Sequence, residues 1–319
     1  MKRLLLLFTI LIAALLIFRA DRMFVEALLT LSEDDMIEEK ADCTIVLGPP
    51  LLTAQATSND INAEDVEIIE KNEEFREICL PVLMYHHFSL NPEDADSITV
   101  SPQKFEHDLQ ALKEAGYNAM LPKELLKAYK ENRLPAKPVL ITIDDGYFSN
   151  YQLAFPILKK MEMKATLFVI GSTIGRDTNL QNTHKITPHF SIEEAKEMVN
   201  SGLVSIQPHS YNLHSLANIP NGQAKGLDRF PGENDFAYEQ RLLDDTESVK
   251  RIIEKEIGDE VIAYSYPYGG YSDIVDKVLR ELGFEMTFSV EKGLNQINDN
   301  NFFRLKRINM DSDFSNFFL

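Results

Sequence analysis

The sequence predicts an α/β fold built on a parallel sheet, and three observations predict it. Past residue 80, seven short, β-branched apolar runs alternate with segments of helical spacing. Glycines close the helical segments, at Gly116, Gly202, Gly258 and Gly283. Unusual polar residues follow four of the apolar runs, where parallel α/β folds carry their reactive groups. The strand runs are residues 81–85, 139–143, 165–170, 203–207, 261–266, 285–290 and 303–308. The helical segments are 102–115, 150–161, 191–201, 238–257 and 272–282. In the first of these Phe105, Leu109 and Leu112 recur at helical spacing. A (β/α) barrel and an open doubly wound sheet both satisfy this order. The chain has no GxGxxG and no GxxxxGK[ST], so nucleotide-dependent chemistry has little support.

Two segments precede the first strand. Lys2-Arg3 leads into Leu4 to Phe18, in which only Thr9 is polar. A basic start before an apolar core marks residues 1–19 as a signal peptide or an uncleaved signal anchor. Its 15 apolar-core residues span roughly 22 Å as a helix, short of the ~30 Å bilayer interior, which favours cleavage. Phe18-Arg19-Ala20-Asp21 lacks a small-x-small site, which favours an anchor. Residues 20–79 hold 16 acidic and 4 basic residues and read as an acidic extracytoplasmic tether. That leaves 80–319 as the folded domain. Pairing of Cys43 with Cys79 in an oxidising compartment stays open. The chain of 319 residues carries a net charge of −18, which repels phosphate backbones and argues against a nucleic-acid partner.

The four polar strand ends are Tyr85-His86-His87, Thr142-Ile143-Asp144-Asp145-Gly146, Gln207 through His214, and Tyr266-Pro267-Tyr268-Gly269. Each alone has an ordinary explanation: Asp-Asp-Gly is a turn signal, and single histidines sit in cores and on rims. Their joint occurrence at the ends of one predicted sheet is harder to dismiss. Asp145, His209 and His214 supply one carboxylate and two imidazoles, a recurrent catalytic zinc set that leaves a position for water. The same set suits non-haem iron, so zinc is expected and other transition metals stay open. The spacing of His209 and His214 does not fit adjacent turns of a helix, so a loop must bring them together. Asp144 is placed to stay off the metal and act as base. Adjacent strand residues normally face opposite ways, but the chain can turn before Gly146. The Asn- and Gly-rich segment 215–235 reads as a surface loop, with a substrate-facing loop as the other reading. His184 and His189 read as rim residues.

From about residue 81 to 310 the chain resembles the polysaccharide deacetylases, the NodB-homology domain or carbohydrate esterase family 4. Val139 through Tyr147 looks like the first motif, His209-Ser210 through His214 the second, and Tyr266-Pro267-Tyr268-Gly269 part of the third. Pro81 through His87 and the spacing of the two histidines are similar to the branch that de-N-acetylates biofilm poly-N-acetylglucosamine. The resemblance implies a distorted (β/α)7-type barrel with its active site at the C-terminal ends of the strands. It implies metal binding by Asp145, His209 and His214, Asp144 as base, and the backbone N–H of Tyr268 at the oxyanion. No histidine follows His214; in the biofilm branch the equivalent histidine lies in the N-terminal Tyr-His element, so the resemblance makes His86 the candidate acid, with His87 as the alternative. Ser265 stands where many members carry an arginine that orients the base, and Arg304 or Arg307 is expected to replace it. The implied activity is metal-dependent removal of N-acetyl groups from an extracellular or cell-wall N-acetylglucosamine polymer. Acetate is the product, and the N-terminal segment contacts the membrane if uncleaved. An O-acetyl (xylan-type) esterase, a glycoside hydrolase and an inactive carbohydrate-binding relative are the alternatives.

Overall fold

The computed structural model describes residues 78–219, 222–297 and 301–311. The signal segment, nearly all of the acidic tether and Cys43 lie outside the described residues.

The expected strands form as β1 (Val82–Tyr85), β2 (Pro138–Ile143), β3 (Ala165–Val169), β4 (Val204–Pro208), β5 (Ala263–Ser265), β6 (Met286–Lys292) and β7 (Leu305–Asn309). They lie in the order β5-β6-β7-β1-β2-β3-β4, and every neighbouring pair is parallel. Asn118–Ala119 adds a short strand beside the start of β2. The helices are α1 (Pro102–Glu114), α2 (Pro122–Lys130), α3 (Phe155–Met161), α4 (Ile192–Asn200), α5 (Asp235–Ile252) and α6 (Asp273–Glu281). Ser101, Ser191 and Asn234 cap the starts of α1, α4 and α5 by accepting from backbone N–H groups in the first turn.

All six residues of β2 are buried, as expected for a strand covered on both faces. Strand residues divide by parity into two cores. Val82, Leu140, Phe168, Ala263, Met286, Phe288 and Leu305 pack together in one. Leu83, Ile141, Leu167, Ile206 and Tyr264 pack instead with helix residues such as Leu109, Val249 and Leu279. The second set faces the helices on the outside, and the first set fills the barrel together with Leu125 and Leu126 of α2.

The barrel is nearly closed. Strands β4 and β5 share no ladder, and the Gln207 side chain spans the seam between them. Its Oε1 accepts from Ile262 N (3.0 Å) and Ala263 N (2.9 Å), and its Nε2 donates to Glu260 O (2.8 Å). Asp259 adds a second tie by accepting from Ile206 N at 2.6 Å.

Three features were not expected. Helix α2 starts at a proline, which is tolerated in a first turn, and buries Leu125 and Leu126. Part of the 215–235 segment is an antiparallel hairpin, Leu216–Ile219 with Gly222–Lys225, rather than a loop. Ile78–Leu80 pairs antiparallel with Asn295–Ile297, so ordered pairing begins just before residue 80.

Candidate active site

Parity carries the reactive residues inward. In the β1–β2 register Val82 faces Leu140 and Met84 faces Thr142. Asp144 N donates to Tyr85 O at 2.9 Å, so the pairing runs on past Tyr85 and puts His86 beside Asp144 on the interior side. Continued alternation would send Asp145 outward. Instead Asp145 has φ +74° and Gly146 φ +77°, and the chain turns so that both carboxylates face the pocket. A Cβ on Gly146 would lie 3.1 Å from Val169 Cγ1 in addition to its unfavourable φ. Eight non-glycine residues have positive φ among the described residues, and three of them, Asp145, Ser210 and Tyr268, belong to this site. Left-handed backbone at these three positions turns the chain so that their neighbours face the pocket.

His209 follows β4, with its N–H on Val169 O at 2.8 Å. Its Nδ1 meets Ser265 O at 2.7 Å. A carbonyl only accepts, so Nδ1 carries the proton and Nε2 presents a lone pair. Burial pushes the His209 pKa down to about 4 against the pull of Asp144, which keeps the ring in the neutral form a metal requires. After Ser210 the chain doubles back. Asp245 on α5 accepts from Tyr211 N (2.8 Å) and Asn212 N (2.7 Å), and Ser172 Oγ donates to Asn212 Oδ1 (3.0 Å). His214 returns to the pocket, where its ring stacks 4.4 Å from that of Tyr268.

Asp145 Oδ1 lies 3.7 Å from His209 Nε2 and 3.5 Å from His214 Nε2. One ligand atom from each of the three residues falls within 4.8 Å of the others. Asp145 Oδ1 is buried without a hydrogen-bond partner, an orphan that a cation would satisfy. The donor set and its spacing therefore fit a divalent metal.

Asp144 is held differently. Arg307 Nη1 and Nη2 donate to its two oxygens, each at 2.8 Å. Ser265 Oγ donates to Asp144 Oδ2 at 3.1 Å and accepts from Arg307 Nη2 at 3.0 Å. Arg307 is itself fixed by Ser289 O (2.7 Å) and Thr142 Oγ1 (3.2 Å). Burial works to raise the Asp144 pKa, but the Arg307 charge, with His209 and His86, holds it well below the carboxylate range. Arg304, the other arginine expected here, does not reach Asp144. It is an odd number of residues from Arg307, and it lies on the outer side instead. It binds Asp276 (2.7 Å) and Asp273 (2.6 Å) of α6 and covers the Tyr271 ring.

His86 is half-buried, and its Nδ1 is buried without a partner. His87 points away, with Nδ1 2.8 Å from Ser149 Oγ and its ring against Tyr147. Tyr268 sits in the Pro267–Gly269 turn with φ +56° and its ring partly open to solvent. Lys225, at the end of the unexpected hairpin, lies 5.9 Å from that ring. His189 departs from the rim reading: it is buried against Tyr147 at a ring distance of 5.1 Å. Burial pushes its pKa down to about 4 against the pull of Asp145. Sequence reasoning also missed Ser149, Asn150 and Asp245. Only the closeness of Ser149 and Asn150 to the Asp-Asp-Gly turn signals them in the sequence.

A family model described as polysaccharide deacetylase matches residues 131–287. The Bacillus subtilis protein YxkH is 33% identical over 215 residues, which are 67% of this chain and 65% of that protein. The chain thus matches just under two thirds of that relative's length. The poly-β-1,6-N-acetyl-D-glucosamine N-deacetylase of Staphylococcus aureus is 28% identical over 227 residues, 71% of this chain and 73% of that protein. The solved structure of a de-N-acetylase from Aggregatibacter actinomycetemcomitans superposes with a TM-score of 0.64 at 25% identity. It matches 75% of this chain and 98% of that one.

Proposed function

Because this chain belongs to the polysaccharide deacetylase family, we propose that it removes N-acetyl groups from an extracellular poly-N-acetylglucosamine. The observation that carries the reading is the division of labour between two adjacent carboxylates: Asp145 meets His209 and His214, while Asp144 is tied to Arg307. Asp145, His209 and His214 would hold a divalent metal, with zinc the expected ion and other transition metals compatible with the same ligands. When bound, the metal supplies Lewis-acid polarisation of the acetamide carbonyl and lowers the pKa of the attacking water. Asp144, kept ionised by Arg307, accepts the proton of that water. The backbone N–H of Tyr268 faces the developing oxyanion. His86 donates a proton to the leaving amine, which is otherwise a poor leaving group. The products are acetate and a glucosamine unit.

The likeness to the S. aureus enzyme supports a β-1,6-linked polymer as substrate. The basic, apolar N-terminus supports work outside the membrane, with residues 1–19 as signal or anchor and 20–79 as tether. Two neighbouring carboxylates do not span a glycosidic bond as a glycosidase pair must. Acetate release is to be compared on β-1,6-linked N-acetylglucosamine oligomers, chitin oligomers, peptidoglycan and acetylated xylan, with reducing ends counted in parallel. The reading expects the fastest acetate release from the β-1,6 oligomer and no new reducing ends. Preference for acetylated xylan would make the chain an O-acetyl esterase, and reducing ends without acetate would make it a glycosidase.

A further inference from the structure

The chain around His86 is not held by its own sheet alone. Strand β1 ends at Tyr85, and the next pairing, His87–Phe88 with Thr99–Val100, is only two residues long. The peptide between them is gripped by the segment that follows the Asp144–Asp145 turn. Asn150 is 1% exposed and donates from Nδ2 to His86 O at 2.7 Å. A carbonyl only accepts, so this contact orients the amide. Ser149 Oγ accepts from Phe88 N at 3.1 Å, which leaves its proton for His87 Nδ1 at 2.8 Å. Two consecutive side chains thus hold three consecutive residues.

Both belong to an irregular helix start. Asn150 N donates to Tyr147 O at 2.9 Å, and Asn150 O accepts from Phe155 N five residues on, a π-type turn of the kind that recurs at functional sites. Asn150 Oδ1 and His86 Nδ1 are both buried without partners. A buried polar atom without a partner is destabilising, so an asparagine here is a poor choice for packing alone. With no partner on Nδ1, the aim of the His86 imidazole depends on where its backbone is fixed.

We propose that Asn150 is the positioning residue for the general acid: its bond to the His86 carbonyl sets the direction in which the imidazole enters the pocket. This rests on the reading of His86 as proton donor. Asn150 touches no reacting atom. Its contribution is to the transition state in which the amine leaves, and substrate binding does not depend on it.

The test uses the full chain, a β-1,6-linked N-acetylglucosamine oligomer and 4-nitrophenyl acetate, whose leaving group needs no proton. Wild type, Asn150→Ala, Asn150→Asp, His86→Ala and His86→Ala/Asn150→Ala are compared, with metal content measured on each. Asn150→Asp keeps the volume and loses the donor, so it carries the comparison if the alanine variant folds poorly. Each single Asn150 variant should lose about 10-fold or more in kcat on the amide, with KM and metal content near wild type. On the aryl ester the loss should stay within about threefold, because positioning of a proton donor is idle there. The double variant should be no slower on the amide than His86→Ala alone. Unchanged amide turnover in both Asn150 variants, equal losses on both substrates, or multiplied losses in the double variant overturn the inference while leaving His86 as acid. Full amide activity in His86→Ala instead overturns the acid assignment, and the positioning role falls with it.

Discussion

Arg307 brings a full positive charge into the barrel interior, where its side chain is completely buried. Burying such a pair costs desolvation, which good geometry and satisfied donors must offset. Here Asp144, Ser265, Ser289 and Thr142 together occupy the guanidinium. Arg307→Gln keeps most of the side chain and removes the charge. Burial, which raises the Asp144 pKa, then acts with less opposition, so the folded-state pKa climbs. The base works only when ionised, so the acidic limb of the kcat/KM profile should move to higher pH. A limb that stays in place in Arg307→Gln would mean that Arg307 does not tune the base. Asp144→Asn should lower kcat by about 10²–10⁴-fold with metal content unchanged. Loss of metal along with activity would instead make Asp144 a ligand. At this scale the sequence was informative because Asp145, His209 and His214 are chemically distinctive. It could not choose between Arg304 and Arg307, because the choice depends on which face each occupies in β7. Ser265 looked like a departure from the family motif. In the fold its hydroxyl bridges Asp144 and Arg307, which reaches across from another strand.

Elements were legible where the apolar pattern was long and bounded. All seven strands fall within a few residues of their expected positions, because continuous β-branched runs between glycines have few other readings. Helix α2 was missed because it is short and starts at a proline that also reads as a turn. The hairpin over 216–225 was missed because its two arms are only four residues long and mix Ala with Asn, Gln and Lys, so they give no clean alternation around the Asn221-Gly222 turn signal. The β4–β5 seam could not be read at all, since a glutamine in an apolar strand gives no hint that it substitutes for a ladder. Gln207→Leu would leave Ile262 N, Ala263 N and Glu260 O without their partner. At about 1–3 kcal/mol for each of the two buried amide groups, the variant should lose roughly 2 kcal/mol or more. For a domain of this size that corresponds to a Tm drop of roughly 4–8 °C. A melting curve within ~2 °C of wild type would show that the seam is held by something else.

A barrel of parallel strands delivers every strand's C-terminal end to one rim, so residues far apart in sequence converge without further design. His86, Asp144 and His209 come from the ends of β1, β2 and β4, and Arg307 reaches the same place from within β7. The order of strands and helices, with polar residues at four strand ends, implies that convergence, whereas closing of the barrel depends on side chains at one seam. The acidic N-terminal stretch carries none of the metal set. A chain beginning at Ile78 keeps the Ile78–Leu80 pairing with Asn295–Ile297 and should fold with wild-type kcat. One beginning at Val82 loses that ladder and should melt lower. If the longer fragment is insoluble or inactive, the acidic segment is part of the folded domain and not a tether. The most direct test of the central claim is acetate release from a β-1,6-linked N-acetylglucosamine oligomer by the full chain, before chelation, after it, and after zinc is restored. The account predicts loss on chelation and recovery with zinc in wild type, and no recovery in His209→Ala. Undiminished release from protein shown by elemental analysis to be metal-free would contradict it.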